Sequence, residues 1–137
     1  PVAGRLPLLI TGGSRQSPEW AARNGDGWMT YPRDPAAQGR AVAEYRRRIA
    51  EAGSPDKPVM QSLYVDLMDQ PDAPPRPIHL GFRSGTDFLR RHLAELRDLG
   101  INHVALNLRF NGADIEDTMH RLAEALLPEF SNAETHP

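Results

Sequence analysis

The chain is 137 residues long, with 25% charged and 39% hydrophobic residues, a formal net charge of −2 and no cysteine. A chain of this length forms one compact domain, its small net charge argues against a nucleic-acid partner, and the missing cysteines exclude disulfides and thiolate chemistry. No apolar run approaches the length of about 20 residues that a bilayer span requires, so we expect a cytoplasmic protein without a membrane segment.

The first elements predicted along the chain are one strand and one short helix. The apolar run at residues 7–11 predicts a strand that ends at the glycine pair Gly12-Gly13. Ser17 is followed by proline and glutamate, an order typical of an N-cap and a first helical turn. We therefore predict a short helix that ends near Asn24.

A second strand and helix follow directly. Residues 27–31 are rich in aromatic and β-favouring side chains, and they predict a strand that ends before Pro32. Asp34 and a following proline repeat the N-cap signature, and Gly53 stops the helix that they begin. The predicted buried face of this helix consists of Val42, Tyr45 and Ile49.

The second half of the chain continues the alternation with a longer connection. Residues 59–68 predict a third strand, and the proline-rich stretch at 69–85 is predicted to be an irregular loop that is functional or covers a sheet edge. Residues 86–99 carry leucines at helical spacing and predict a helix. Residues 101–110 predict the fourth strand.

The last predicted helix stops near Pro128. Its predicted apolar face consists of Ile115, Met119, Leu122 and Leu126. We expect residues 131–137 to form a frayed, flexible tail, which leaves residues 1–130 as a single α/β domain.

Four largely apolar strands, each followed by a helix, predict an α/β fold with a parallel sheet covered by helices. Two architectures fit this order: a small open α/β sandwich, and four of the eight units of a (β/α)₈ TIM barrel. Length favours the half barrel, because a complete barrel needs about 250 residues. The chain also begins at Pro1 rather than at a methionine, so we expect a processed or truncated chain.

Common catalytic and metal-binding motifs are missing from the sequence. It contains no Walker-type phosphate loop, no dinucleotide-binding glycine fingerprint and no nucleophile elbow. The five histidines lie singly, without metal-ligand spacing, so we expect no metal site. The run Arg46-Arg47-Arg48 is predicted to be a solvated helix face, opposite the apolar face of the second helix.

The stretch LLITGGSRQSPEW fits two interpretations. A strand, a glycine turn and a capped helix bring free backbone N–H groups and the positive end of a helix dipole to one point, an arrangement that binds phosphate. Gly13 would let the backbone approach a ligand, while Ser14 and Ser17 would donate hydroxyl hydrogen bonds. The same residues also suit a plain connection in which Gly12-Gly13 turns the chain and Ser17 only caps the helix. Spacing alone does not separate the two.

Ligand sites of parallel α/β proteins lie beyond the C-terminal ends of the strands. Besides the glycine turn, the predicted strand ends carry residues 31–33, 66–69 and 109–112. Asn107 and Arg109 share one face of the fourth strand. Arg109 therefore either points inward, where it would need an anion or a carboxylate, or projects to solvent.

Two stretches of the chain resemble the luciferase-like monooxygenases, the flavin-dependent (β/α)₈ family that includes bacterial luciferase and alkanesulfonate monooxygenase. In this family the fifth strand is commonly followed by a small-residue turn, a helix and the start of the sixth strand, and the matching residues here are Glu19-Trp20-Ala21-Ala22 and Asp26-Gly27-Trp28. The C-terminal pattern of the family is matched by Gly81 and Gly100-Ile101-Asn102-His103. The resemblance spans nearly the whole chain and covers the C-terminal half of the family.

The resemblance implies units five to eight of the barrel, an FMN cofactor and a small-molecule substrate that is oxidised when reduced FMN activates oxygen. In the family, the turn after the fifth strand contacts the flavin phosphate, and the end of the sixth strand lies near the isoalloxazine. The implied cofactor-binding residues are Gly12, Gly13, Ser14, Ser17, Tyr31 and Pro32. Arg33 is a further candidate, and the catalytic residues stay unknown.

Three alternatives follow from the same resemblance. Some relatives bind a deazaflavin and act as reductases or dehydrogenases, so a deazaflavin is the alternative cofactor. Because strands one to four of the family are absent, sheet edges would be exposed, and we expect a homo-oligomer or pairing with a missing N-terminal half. The competing hypothesis is a catalytically incompetent half-barrel remnant that serves as an assembly module.

Overall fold

The computed structural model describes residue 4, residues 6–11 and residues 17–130. In chain order, the elements in this part of the chain are β1 (Leu9–Thr11), α1 (Pro18–Asn24), β2 (Gly27–Thr30), α2 (Pro35–Glu51), β3 (Val59–Leu67), β4 (Arg76–Ile78), β5 (Gly81–Ser84), α3 (Thr86–Asp98), β6 (His103–Asn107) and α4 (Ile115–Phe130). β6 pairs with β3. The fold is therefore α/β, as the alternation of strand and helix patterns predicts.

The chain divides into two compact units. Unit 1 comprises Pro1–Leu63 and Glu95–Ala105, and unit 2 comprises Tyr64–Ala94 and Leu106–Pro137. The boundaries fall within β3, α3 and β6, so each of these three elements contributes residues to both units.

Unit 1 contains the parallel pairings of β1 with β2 and of β2 with β3. Asp26 fixes the first pairing just before β2 begins. Its backbone N–H donates to the carbonyl of Leu8 over 2.7 Å, and its Oδ2 accepts from the N–H of Leu8 over 2.7 Å. The strands predicted at residues 7–11 and 27–31 are confirmed, although both are shorter than predicted.

Both helices that lie wholly in unit 1 begin at the predicted N-caps. The Oγ of Ser17 accepts from the N–H of Trp20 over 3.1 Å, and the Oδ1 of Asp34 accepts from the N–H of Ala37 over 3.1 Å. The predicted face of α2 is also confirmed, with one addition at its start. The buried residues of this helix are Gln38, Val42, Tyr45 and Ile49.

The prediction of a solvated arginine run on α2 is wrong for Arg46. Its Nη1 donates to Oδ1 of Asp56 over 2.7 Å, while its Nη2 donates to the carbonyl of Gly100 over 2.6 Å and to Oδ1 of Asn102 over 2.8 Å. Arg46 lies four positions after Val42, so it borders the buried face of the helix rather than opposing it. Its guanidinium ties α2 to the segment that precedes β6.

The prediction of an irregular loop at residues 69–85 is wrong, because this stretch contains the hairpin of β4 and β5 in unit 2. β4 pairs antiparallel with β5, and β5 pairs parallel with β3. The sheet is therefore mixed rather than entirely parallel. Pro77 is compatible with β4 because a strand with one neighbour does not need every N–H for pairing. Gly81 is required in β5, since a Cβ there would lie 1.9 Å from the carbonyl oxygen of Tyr64.

The last helix differs from its prediction at two points. α4 continues through Pro128 and ends at Phe130, close to the predicted stop but with the proline inside the helix. The proline costs one hydrogen bond near the end of the helix, where few following turns depend on it. Of the predicted apolar face, Leu122 and Leu126 are buried, but Ile115 and Met119 are 47% and 58% exposed. The predicted tail at 131–137 lies outside the described residues.

Candidate functional site

The predicted phosphate-binding turn is described only at its end. Gly12, Gly13 and Ser14 lie outside the described residues. Ser17 is exposed at the start of α1, and its Oγ accepts from the N–H of Trp20. This bond uses a lone pair of the oxygen and not the hydroxyl hydrogen, for which the described residues provide no acceptor.

Tyr31 and Pro32 lie directly after β2, as predicted. The Tyr31 side chain is 49% exposed, and Pro32 is partly buried. The carbonyl of Tyr31 accepts from Nε2 of Gln38 over 3.0 Å. The backbone of this segment is thus anchored to α2, while the Tyr31 ring is half open to solvent.

A buried polar network holds this strand end, and the sequence reasoning missed it. Nε2 of Gln38 donates to Oε1 of Gln61 over 2.7 Å, and neither side chain is exposed by more than 1%. Nη1 of Arg33 donates to Oε1 of Gln38 over 2.8 Å and also to Oγ1 of Thr30. The Arg33 guanidinium lies 5.8 Å from the centre of the Trp28 ring. Arg33 is exposed, and its guanidinium ties the end of β2 to the buried Gln38 from the surface of unit 1.

A signal for this network was present in the sequence. Gln61 alternates with Val59 and Leu63 on the buried face of β3, where an unpaired amide is costly. Gln38 lies four residues before Val42 on the buried face of α2. Two glutamines at core positions indicate a hydrogen-bonded pair, although the spacing does not identify their partners.

Unit 2 presents a second group of polar residues at the end of β3. Oδ1 of Asp66 accepts from the N–H of Gly112 over 3.0 Å, and Nε of Arg83 lies 3.6 Å from Oδ2 of Asp66. The Oδ1 of Asn107 accepts from the backbone N–H of Arg109 over 2.9 Å, so Asn107 shapes the turn after β6. The Arg109 side chain is exposed, as one of the two predictions for it stated.

Aromatic rings lie beside these polar groups. The ring centres of Tyr64 and Phe110 are 4.9 Å apart, and those of Tyr64 and His79 are 6.0 Å apart. The Arg109 guanidinium lies 5.6 Å from the centre of the Phe110 ring. Polar and aromatic side chains thus share the surface where β3 and β6 end.

Two neighbouring groups of α2, Glu44 and Tyr45, have shifted pKa values. Hydrogen bonds from Arg47 and then Arg48 lower the pKa of Glu44, and burial raises the pKa of the Tyr45 hydroxyl. Among the described residues, no three His, Asp or Glu side chains gather as metal ligands. Over the same part of the chain, every helix is too short or too polar to cross a bilayer.

Three of the residues that carry the family resemblance, Asp26, Gly27 and Asn102, make backbone contacts in unit 1. Asp26 bonds to the backbone of Leu8 twice, through its own N–H and through its carboxylate. A Cβ at Gly27 would lie 2.8 Å from the carbonyl oxygen of Pro58. The Oδ1 of Asn102 accepts from the N–H of Val59 over 2.9 Å and from Arg46. These three residues therefore help to position the strands of unit 1.

Comparisons with known proteins bear on the fold and the family of the chain. No curated protein matches the sequence. The solved structure of an F420-dependent secondary alcohol dehydrogenase in complex with an F420-acetone adduct is similar, with a TM-score of 0.71 and 14% identity. The match covers 90% of this chain and 49% of that chain, so this chain spans about half the length of the solved protein. At this identity the likeness shows the fold alone. The family profile described as "Luciferase-like monooxygenase" matches residues 1–131, and the chain therefore belongs to that family.

Proposed function

We propose that this chain is the C-terminal part of a flavin-type oxidoreductase and that the turn after β1 binds the phosphate of the cofactor. Family membership supports the oxidoreductase class. The observation that carries the phosphate site is the exposed hydroxyl of Ser17, which accepts from Trp20 and has no acceptor for its hydrogen among the described residues. The proposed ligands are Gly12, Gly13, Ser14 and Ser17.

The proposal depends on hydroxyl and backbone donors rather than on the dipole of α1, which has only 7 residues. Tyr31 and Pro32 would contact the ring system of the cofactor. The anchoring of the Tyr31 carbonyl to Gln38 supports this role, because it fixes the backbone and leaves the ring half exposed. The cofactor supplies the redox chemistry when bound, while the protein binds it, orients it and excludes water.

Two cofactors fit this proposal. FMN follows from the resemblance to the flavin-dependent monooxygenases, and the reaction would then insert oxygen into a small organic substrate. A deazaflavin is the second candidate, and the F420 dependence of the similar solved protein favours it. With a deazaflavin the reaction would be a hydride transfer.

We further propose that the chain pairs with a second copy of itself or with another half of the fold. The 49% coverage of the solved protein supports this, because a barrel needs both halves to cover its sheet edges. Exposed apolar residues also support it: Leu6 and Leu8 are 78% and 60% exposed in unit 1. Without such a partner, the chain would be the inactive remnant.

A fluorescence titration tests the cofactor proposal. We expect the chain to bind FMN or F420, and to bind riboflavin, which lacks the phosphate, at least about tenfold more weakly because charge-assisted hydrogen bonds are lost. If the chain binds neither FMN nor F420, the cofactor site is wrong and the inactive remnant is favoured.

Two substitutions at one position provide the matched control. Ser17→Asn and Ser17→Asp both keep an N-cap acceptor for Trp20. Only the aspartate places a negative charge beside the phosphate, so Ser17→Asp should weaken FMN binding by about tenfold while Ser17→Asn stays close to the unmodified chain. Riboflavin binding should be equal in both variants. Equal FMN binding by the two variants would exclude Ser17 from the phosphate site.

A further inference from the structure

The hairpin of β4 and β5 places two arginines opposite each other. Arg76 pairs in register with Arg83 across this antiparallel pair, so both side chains lie on one face. Like charges in this relation repel. Arg83 is partly neutralised by Asp66, with 3.6 Å between Nε and Oδ2, whereas Arg76 has no ion pair to any residue in 6–11 or 17–130.

A third arginine of unit 2 lies at the end of β6. The Arg109 guanidinium contacts the Phe110 ring and has no carboxylate partner within the described residues. Phe110 contacts Tyr64, which lies two positions before Asp66 on the same face of β3. The three arginines and the single aspartate give this surface an excess of positive charge beside two aromatic rings.

The hairpin is held against β3 by a strained turn. Leu80 has a φ of 51°, which is unfavourable for any residue with a Cβ and especially for a bulky one. Its carbonyl accepts from the N–H of Tyr64 over 3.0 Å, and the neighbouring His79 ring lies beside Tyr64. Strain of this kind persists where the surroundings enforce it, and it clusters at ligand-binding sites.

The position of this surface is also typical of a ligand site. Tyr64 and Asp66 lie on the face of β3 opposite the buried Val65 and Leu67, near the C-terminal end of the strand. Ligands of parallel α/β folds bind beyond these strand ends. Arg83 lies opposite Asp66 in the parallel pairing, and Arg76 lies opposite Arg83, so the charged residues form one row across three strands.

We propose that this surface of unit 2 binds the anionic group of an organic substrate: a carboxylate, sulfonate or phosphate at Arg76, Arg83 and Arg109, with the apolar part against Tyr64 and Phe110. This inference names the substrate class of the oxidoreductase and therefore rests on the proposed function. An anion between Arg76 and Arg83 would remove their mutual repulsion, and arginine binds oxyanions with paired N–H groups.

Binding of two matched probes tests the proposal. 2-Naphthalenesulfonate carries the anion, and 2-naphthol has the same ring system without a charge at pH 7. Calorimetry or ligand-observed NMR at low salt should show the sulfonate binding at least about tenfold more tightly than the naphthol. Equal affinities for the two probes would overturn the proposal.

Arginine variants then identify the site. Arg76→Gln and Arg109→Gln should each weaken sulfonate binding by about tenfold, because each removes a charge-assisted hydrogen bond. The control is Arg90→Gln, which removes the same charge from an exposed α3 residue paired with Asp87. Tyr64→Leu should weaken both probes. If Arg90→Gln lowers sulfonate affinity as much as Arg76→Gln does, the effect is general electrostatics and the proposal is wrong.

A parallel FMN titration separates this inference from the cofactor proposal. Arg76→Gln should leave FMN affinity unchanged, since the cofactor phosphate is assigned to Ser17 in unit 1. A matching loss of FMN affinity would place the arginines in the cofactor site and overturn the substrate assignment. Sulfonate binding without any FMN binding would leave the anion site standing and refute the cofactor proposal alone.

Discussion

The Nε2 of Gln38 donates to the Oε1 of Gln61 over 2.7 Å, and both amides are buried between α2 and β3. The pair joins two residues 23 positions apart. Through the second donor of Gln38, it also anchors the carbonyl of Tyr31 at the end of β2. The conformation of a predicted cofactor-binding segment therefore depends on two core glutamines.

Replacing Gln61 by alanine should destabilise the protein by about 2–3 kcal/mol, because a buried donor of Gln38 loses its partner and a cavity forms. Urea unfolding followed by circular dichroism measures this change. Gln70→Ala, at an exposed position, is the matched control and should change stability by less than about 0.5 kcal/mol. Equal effects of the two variants would mean that the glutamine pair contributes nothing specific.

Tyr45→Phe should leave stability unchanged or raise it by about 1 kcal/mol, since a buried hydroxyl without a partner costs free energy. The Tyr45 hydroxyl is buried and has no hydrogen-bond partner in the described structure. Thermal unfolding of the variant measures the difference, and Tyr31→Phe at a half-exposed position is the control. A loss of about 1 kcal/mol or more in Tyr45→Phe would indicate a partner for this hydroxyl.

The same hydroxyl predicts a dependence of stability on high pH. Burial raises the pKa of Tyr45 above its ordinary value of 10.0, so the unfolded chain loses this proton first. Ionisation of Tyr45 therefore favours the unfolded chain: the free energy of unfolding does not depend on this group well below pH 10 and falls as the pH rises from there through the folded pKa. Urea midpoints at several pH values above 9 should fall more steeply in the unmodified chain than in Tyr45→Phe. Parallel curves would contradict this linkage.

Arg46→Met should destabilise unit 1 by about 2 kcal/mol, because the carbonyl of Gly100 and the amide of Asn102 lose a charged donor. Arg47→Met is the matched control on the same helix. Among residues 6–11 and 17–130, Arg47 bonds to Glu44 and Glu51 alone, both at the surface, so its replacement should have a smaller effect. Chemical unfolding of both variants decides the matter, and a larger effect at Arg47 would refute the role assigned to Arg46.

Met119→Lys should weaken the proposed pairing of the chain. Met119 and Leu127 are 58% and 55% exposed on α4, and we place this apolar face in the proposed contact. A lysine buried there would cost about 2 kcal/mol or more of association free energy. Analytical ultracentrifugation should show association of the unmodified chain at low micromolar concentration and a monomer for the variant. Gln70→Lys adds the same charge elsewhere and should not dissociate the complex. A monomeric unmodified chain would contradict self-pairing.

The sequence by itself determined the alternation of strands and helices, the helix starts and the family. The caps at Ser17 and Asp34 and the face of Val42, Tyr45 and Ile49 depend on residues within one or two helical turns. Such local signals are readable because the hydrogen bond or contact partner lies a few positions away.

Only the tertiary structure decided which residues meet across the chain. Arg46 donates to the carbonyl of Gly100, 54 positions away. The proline-rich stretch forms a hairpin because β5 pairs with β3. Periodicity assigned Met119 to a core that unit 2 does not provide, since a helical repeat marks an apolar face without specifying what covers it. The polar row of Asp66, Arg83 and Arg76 likewise arises from strand register, which is set by packing between distant segments.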